Sequence, residues 1–264
     1  ELKDIYDNSN EDTQLKILET LQSLISINVT KISEETLNNI MIIFCRIFCF
    51  KNIETKNALQ LMLGSFMKKI FEYCDNPTIV SLLRNLTYLS ECTKKEWIST
   101  PSTGAKCLGI ELITTIIETF PEKLKNDDFK LIINEDIKIL LQKIFAMNSD
   151  QQIIGIKSCR LAVIIMNQLN MLYDLVDDML KFINRNNQYQ ISWQKVLGLE
   201  CLSELFKNYK FLYGLYKSNK SLYEKLLMNF TDFTYQCFMY KSKNSGNPGE
   251  SPSPVVGVNI PLLR

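Results

Sequence analysis

Residues 106–113 read Lys106-Cys-Leu-Gly-Ile-Glu-Leu-Ile113, and 89 positions later residues 195–202 read Lys195-Val-Leu-Gly-Leu-Glu-Cys-Leu202. On a wheel of ~100° per residue, Lys106, Glu111, Thr114 and Glu118 share one arc, while Ala105, Leu108, Leu112, Ile113, Ile116, Ile117 and Phe120 fill most of the rest. The second copy keeps the register, with Lys195, Glu200, Ser203 and Lys207 outward and Leu197, Cys201, Leu202, Leu205, Phe206 and Tyr209 inward. An apolar arc of roughly 200° is wider than the ~100° stripe of a helix lying on one surface. Each echo helix is therefore expected to pack against neighbours on two or three sides.

The echo recurs at about twice the ~40–47-residue spacing of HEAT and armadillo repeats, which points to stacked helix pairs. Coincidence in a Leu-rich helical protein is the alternative. The expectation is an all-α fold, a HEAT/armadillo-like α-solenoid of about ten to twelve helices, since no period-2 alternation of useful length occurs. It would run as one continuous array over 1–241.

Working outward, Asp12 or Thr13 predicts the start of a helix running to about Ile27. Ser33 followed by Glu34 and Glu35 predicts a capped, dipole-compatible helix through Phe50. A third helix is expected over about Ile53 to Tyr73. Asn76-Pro77 reads as a cap and a first-position proline opening a helix to about Ser90. Trp97 to Pro101 is a connector before the first echo helix, which ends at Phe120. Lys123 to Asp128 reads as a loop with a short helical turn. Asn134, with Glu135 and Asp136 behind it, predicts another capped start and a helix to about Met147. Gln151–Asn170 has the dense apolar centre Leu161–Met166, Leu172–Asn184 follows, and the second echo helix begins near Ile191. Segments Lys210–Tyr216 and Lys220–Tyr240 complete the set. Residues 242–264 change character: Ser, Pro and Gly through Pro254 read as a linker, ending in a short apolar strip from Val255 to Leu263.

Composition excludes several classes. The 264 residues are 46% hydrophobic, enough for a sizeable core. Thirty basic and 29 acidic residues leave a net charge of +1 with no Lys/Arg block, so nothing supports a nucleic-acid-binding patch. The longest apolar run, Ile40 to Phe50, is broken by Arg46 and is shorter than the ~20 residues of a membrane span. Glu1 opens without a signal-peptide pattern and reads as an excised start. Eight cysteines lie at scattered apolar positions without a CxxC pair, and no histidine accompanies them. They are expected to be buried free thiols in a reducing compartment, and no metal site is drawn. Four Asn-x-Ser/Thr sequons, beginning at Asn28, Asn85, Asn219 and Asn229, read as chance matches in an Asn-rich chain. Without histidine the usual triads are gone, and neither GxGxxG nor GxxxxGK[ST] occurs. No catalytic residue, cofactor or enzymatic activity is expected. Asp174, Asp177 and Asp178 read as a solvated face.

The stretch Gly109-Ile-Glu-Leu-Ile-Thr-Thr-Ile-Ile-Glu-Thr-Phe-Pro-Glu122 strongly resembles a helix of the Mon-two family, large Golgi proteins related to the big Arf exchange factors but without their catalytic Sec-seven domain. Gln14-Leu-Lys-Ile-Leu-Glu-Thr-Leu21 and Phe44-Cys-Arg-Ile-Phe-Cys-Phe50 resemble the end of that family's N-terminal dimerisation and cyclophilin-binding region. The stretch from Cys159-Arg-Leu161 through Trp193 to Leu205 resembles its homology-upstream-of-Sec-seven region. The likeness covers most of residues 12–240 in collinear order, with no single diagnostic motif. It implies a division at about 75, residues 1–75 belonging to the first region and 76–241 to the second. Where the exchange-factor relatives carry an Asn-aromatic-Asp-Cys-Asp box, this chain has Tyr216-Lys-Ser-Asn-Lys220 with no acidic residue.

The resemblance implies a non-catalytic helical-repeat scaffold in endosome-to-Golgi vesicle traffic, cytoplasmic and peripheral on trans-Golgi and endosomal membranes. The partners it implies are an Arf-like small GTPase, a Dopey-type protein and through it a phospholipid flippase, with homodimerisation left open. Lys217, Asn219 and Lys220 are candidate partner-binding residues or a plain solvated turn. Trp193 is either a ring packed between repeats or an interface anchor. A transport receptor of the importin-β kind is the competing reading; it predicts more regular ~40-residue repeats than the uneven helices and polar loops seen here.

Overall fold

The computed structural model describes residues 33–50, 63–72, 74–93, 97, 102–147, 152–185 and 193–244, with isolated positions at 16, 19, 20 and 23. Apart from those four positions, which are helical, the expected helix over 12–27 lies outside the described residues, as do residues 53–62 of the expected 53–73 helix and the tail beyond Asn244. Every regular element among the described residues is helical, and the fold is all-α, built from packed successive helices of the α-solenoid class. The chain divides into two compact units, Glu1–Leu140 and Leu141–Arg264.

In the first unit α1 is Glu34–Phe50, α2 includes residues 63–72, α3 is Asn76–Ser90 and α4 is Thr103–Thr119. Ser33 starts α1 as expected, its hydroxyl accepting from the Thr36 N–H at 3.2 Å. At α3 the cap lies one residue earlier than expected. Asp75 is extended and its carboxylate accepts from the Thr78 N–H at 3.0 Å. Asn76 is already helical, and its amide instead donates to Asp128 at 2.8 Å. Ser102 caps α4 by accepting from the Ala105 N–H at 3.1 Å. On α4 the apolar arc is buried as the wheel placed it, from Ala105 through Ile117, with Phe120 half-buried. Thr114, placed outward, is buried because its hydroxyl donates to the Ile110 carbonyl at 2.7 Å and needs no water.

The glycine of the first echo is a packing residue. A Cβ on Gly109 would stand 2.8 Å from the Leu86 carbonyl oxygen and 3.0 Å from the Ser90 nitrogen, both backbone atoms of α3. Its absence lets α4 lie directly on the last turns of α3. Short helices α5 (Pro121–Leu124) and α6 (Asp127–Ile132) follow. The expected cap at Asn134 is not formed. The helix continues through a π turn, Ile133–Ile137, into α7, Lys138–Ala146. Ile132, Ile133 and Ile137 are all buried, so the apolar periodicity carries the helix through the polar residues, and the wider π turn takes up the mismatch. Asp136 in that turn is ion-paired with Arg84 of α3 at 3.3 Å.

The second unit contains α8 (Gln152–Leu169), α9 (Leu175–Ile183), α10 (Trp193–Phe206), α11 (Tyr209–Ser218) and α12 (Lys220–Asn244). Leu161 to Met166 of α8 are all buried, as expected. Helix α9 starts later than its apolar pattern predicts, because Asn170 and Leu172 take left-handed φ of 52° and 60° and break the helix there. The second echo helix, α10, touches α8, α9, α11 and α12. Leu197, Cys201, Leu202 and Leu205 are fully buried. Gly198 repeats the role of Gly109: a Cβ there would press on the Ile183 side chain and stand 3.0 Å from the Phe233 ring. Two wheel positions are corrected. Lys195, placed outward, is buried at 8% exposure, as the long apolar stem of a lysine permits. Tyr209, placed inward, is 73% exposed, because α10 ends at Phe206 and the chain turns at Lys207 and Asn208 before Tyr209 begins a new helix.

Candidate protein-binding surface

Helix α11 is fixed at its start by Asn208. The side-chain oxygen accepts from the Lys210 and Phe211 N–H groups at 3.1 and 3.2 Å, capping the helix. The amide of the same residue donates to the Asn167 carbonyl at 2.8 Å and to the Asn170 side chain at 3.4 Å. Asn167 returns a bond to the Glu204 carbonyl at 3.3 Å. The turn after α8 is thereby tied to the turn before α11.

The inner face of α11 is formed by Phe211 and Leu215, both fully buried. Tyr173 stacks on Phe211 with ring centroids 5.3 Å apart, and its hydroxyl lies where a side chain on Gly214 would project. With that face committed, helical geometry sends Tyr209, Tyr213 and Tyr216 to the opposite side, at i, i+4 and i+7. Their exposures are 73%, 62% and 43%, so the three rings form a surface row. Lys210 and Lys217 flank it, and the Lys217 ammonium lies 5.5 Å from the centre of the Tyr213 ring.

The structure places the four candidate residues in two locations. Lys217, Asn219 and Lys220 come together at the α11–α12 turn. Asn219 is structural there: its N–H donates to the Leu215 carbonyl at 2.7 Å and its side-chain oxygen accepts from the Leu222 N–H at 3.0 Å, closing one helix and capping the next. Lys220 is exposed and 3.8 Å from Glu224. Trp193 sits at the first residue of α10, half-buried, edge-on to Phe182 at 6.2 Å and above the bare Cα of Gly155. Phe206 of α10 packs on Phe230 of α12 at 4.6 Å, while Gly198 faces Phe233. The two helices therefore run antiparallel, and Trp193 and Lys220 lie at opposite ends of the pair. The tyrosine row was not expected from the wheel of the second echo. The signal was present in Tyr209–Lys220, which has three tyrosines and three lysines in helical register and no acidic residue.

Elsewhere the polar groups have structural surroundings. Glu200 is half-buried on α10; one carboxylate oxygen is buried without a hydrogen-bond partner, and burial pushes its pKa up. Asp177 is held below the usual carboxylate range by hydrogen bonds from Lys181 and Lys225, linking α9 to α12. Cys45, Cys107, Cys159 and Cys201 are buried free thiols as expected, whereas Cys74 and Cys92 are free but only half-buried, and Cys159 and Cys201 face each other between α8 and α10. Burial, followed by the hydrogen bond to Cys201, raises the Cys159 thiol well above its ordinary pKa. Thiols of this kind pack as small apolar groups. Among the described residues no helix is long and apolar enough to cross a membrane.

Searches of curated proteins and of solved structures each return no significant match. Residues 76–218 match the profile described as Mon2/Sec7/BIG1-like, HUS domain. The match runs from the first residue of α3 to the last of α11 and includes both echo helices. Covering more than half of the chain, it shows that this protein belongs to the Mon2/Sec7/BIG1-like family, through a helical, scaffold-type HUS domain.

Proposed function

We propose that the chain is a non-catalytic scaffold segment of endosome-to-Golgi vesicle traffic that recruits or regulates an Arf-like small GTPase at those membranes. A Dopey-type protein, and through it a phospholipid flippase, would be held by the same scaffold, peripheral to the membrane. The carrying observation is the HUS-domain match over 76–218, which spans the packed helices α3 to α11 and ends at Ser218, just before the exposed α11–α12 turn. In this reading Lys217 and Lys220 contact the partner, Asn219 shapes the turn that presents them, and Trp193 holds the far end of α10. Residues 1–75 carry the dimerisation- and cyclophilin-binding-like part, and 76–241 the HUS-like part.

Rigid packed helices favour recruitment, since a docking GTPase switch region finds a surface that need not be ordered on binding. Retention of Arf-group and Ran-group GTPases, each locked in GTP and GDP states, on immobilised 1–264 tests the proposal. Preferential retention of a GTP-locked Arf-like protein is expected. Retention of Ran-GTP with no Arf-like binding would sink it and favour the importin-like reading. Sedimentation velocity tests dimerisation: a monomer at all accessible concentrations removes that part.

A further inference from the structure

We infer that the outer face of α11 is a docking surface for an acidic, amphipathic segment of a partner protein. Monomeric surfaces rarely gather large apolar side chains without a use for them. Here Tyr209, Tyr213 and Tyr216 form one row, and Tyr216 meets Tyr223 of α12 edge-on at 5.5 Å. Leu227, one helical turn after Tyr223 and 37% exposed, extends the apolar track onto α12. The track is rigid. Phe211 and Leu215 anchor its underside, Asn208 fixes its start and Asn219 its end. Tyrosine offers large area with few rotatable bonds and a hydroxyl at the rim, the chemistry enriched at protein interfaces.

Charge selects the occupant. From Tyr209 to Lys220 the chain carries Lys210, Lys217 and Lys220 and no carboxylate. The nearest acidic side chain in sequence beyond Lys220 is Glu224, which is paired with Lys220. A ligand that places apolar side chains on the tyrosine row and carboxylates toward Lys210 and Lys217 meets both requirements. Tyrosine hydroxyls also donate to carboxylates. An anionic membrane fits less well. Lipid-surface recognition uses clusters of ~4–8 basic residues, and this face has three, with Glu224 beside one of them. The inference stands apart from the GTPase proposal, and failure of the GTPase pull-down leaves it intact.

The test is fluorescence anisotropy of 1–264 with a fluorescein-labelled helical peptide bearing Leu on one face and Glu along its flanks. The same peptide with every Glu replaced by Gln is the control. Binding of the Glu peptide that weakens as NaCl is raised is expected, with at least ~tenfold weaker binding of the Gln peptide. Tyr213→Ala should weaken binding by ~tenfold or more, and the double change Lys210→Glu with Lys217→Glu should do the same. All three side chains are exposed, so helicity by circular dichroism should be unchanged; Tyr209→Ser, at the most exposed position, serves as a second aromatic variant. No binding of the Glu peptide, equal binding of the Gln peptide, or indifference to both aromatic variants overturns the inference. So does Tyr213-dependent sedimentation with phosphatidylserine vesicles in place of peptide binding, which would make the face a membrane contact.

Discussion

Replacing Gly109 by alanine places one methyl group where the backbone of α3 already stands. Two effects oppose each other. Alanine in a helix interior is favoured over glycine by ~0.5–1 kcal/mol, because glycine loses more conformational freedom on folding. Against this, the new Cβ would lie 2.8 Å from the Leu86 carbonyl oxygen and 3.0 Å from the Ser90 nitrogen, where ordinary contact begins at 3.4 Å. Neither atom belongs to a flexible side chain, so the helices must separate by roughly half an ångström. A gap of ~0.5–1 Å forfeits a quarter to a half of each dispersion contact across it. Leu86 and Leu89 of α3 and Ile110 and Ile113 of α4, all fully buried, are apolar side chains close in sequence to the point of contact. Overpacking of this kind costs ~1–3 kcal/mol. The clash wins, and Gly109→Ala is expected to destabilise by ~1–2 kcal/mol net. Gly64→Ala is the matched control. The nearest atom to its Cβ would be 4.0 Å away, so only the helix-propensity gain operates, and stabilisation of up to ~1 kcal/mol is expected. Gly198→Ala should fall between them, because the atoms it meets belong to the Ile183 and Phe233 side chains, which can give. Urea denaturation followed by far-ultraviolet circular dichroism gives the order. A Gly109→Ala midpoint equal to or above that of Gly64→Ala would refute the role assigned to the echo glycines.

Leu108→Ala and Leu197→Ala, both at fully buried positions, should each cost ~2–5 kcal/mol in the same melts, with Lys106→Ala nearly silent. A loss below ~1 kcal/mol at either leucine would contradict its burial between helices. Glu200→Gln should raise the urea midpoint at neutral pH. The raised carboxyl pKa means that its contribution is present below the ordinary carboxylate range and lost as pH rises through the folded value, so the difference from wild type should vanish under acid conditions. A constant difference at all pH values would show that titration is not the cause. Asp177 has the opposite sign. Its lowered pKa gives stability that is present above the ordinary aspartate value of ~3.9 and lost as pH falls through the folded one. Asp177→Asn should therefore lower neutral-pH stability by at most ~1 kcal/mol and flatten the acid limb of the pH profile, as expected for a partly exposed pair. An unchanged acid limb would remove Asp177 from the account.

Much of the fold was legible because apolar spacing is a direct record of which side a helix buries. Leu108, Ile113, Leu197 and Leu202 could be placed without coordinates, and so could the Leu161–Met166 centre of α8. Local chemistry was less legible where two residues compete for one role. Asp75 and Asn76 can each cap a helix; the carboxylate does so, and the amide goes to Asp128. Asn134 looked like a start because its polarity was visible, whereas the buried isoleucines that carry the helix through it act by tertiary packing. The candidate surface was half legible. The lysines of the α11–α12 turn could be picked out as charges beside a cap. The tyrosines were missed although their spacing was visible, because continuing the α10 register across Lys207 and Asn208 assigned Tyr209 to the interior. One turn resets the phase of everything that follows it.

Asn208 also limits how the sequence can vary. Serine, threonine, aspartate and asparagine serve nearly equally as helix caps, and positions such as Ser102 or Asp75 need only an acceptor. At 208 the residue must accept from Lys210 and Phe211 and, from the other end of the same side chain, donate to the carbonyl of Asn167. Asparagine alone among the four combines a carbonyl with a separate N–H donor at that reach. Asn208→Asp would keep the cap while turning a carboxylate toward a carbonyl oxygen, and Asn208→Ser would be too short for the second bond. Drift permitted at the other helix starts is closed at this one. The orientation of the tyrosine row thus rests on a position with a single chemical solution.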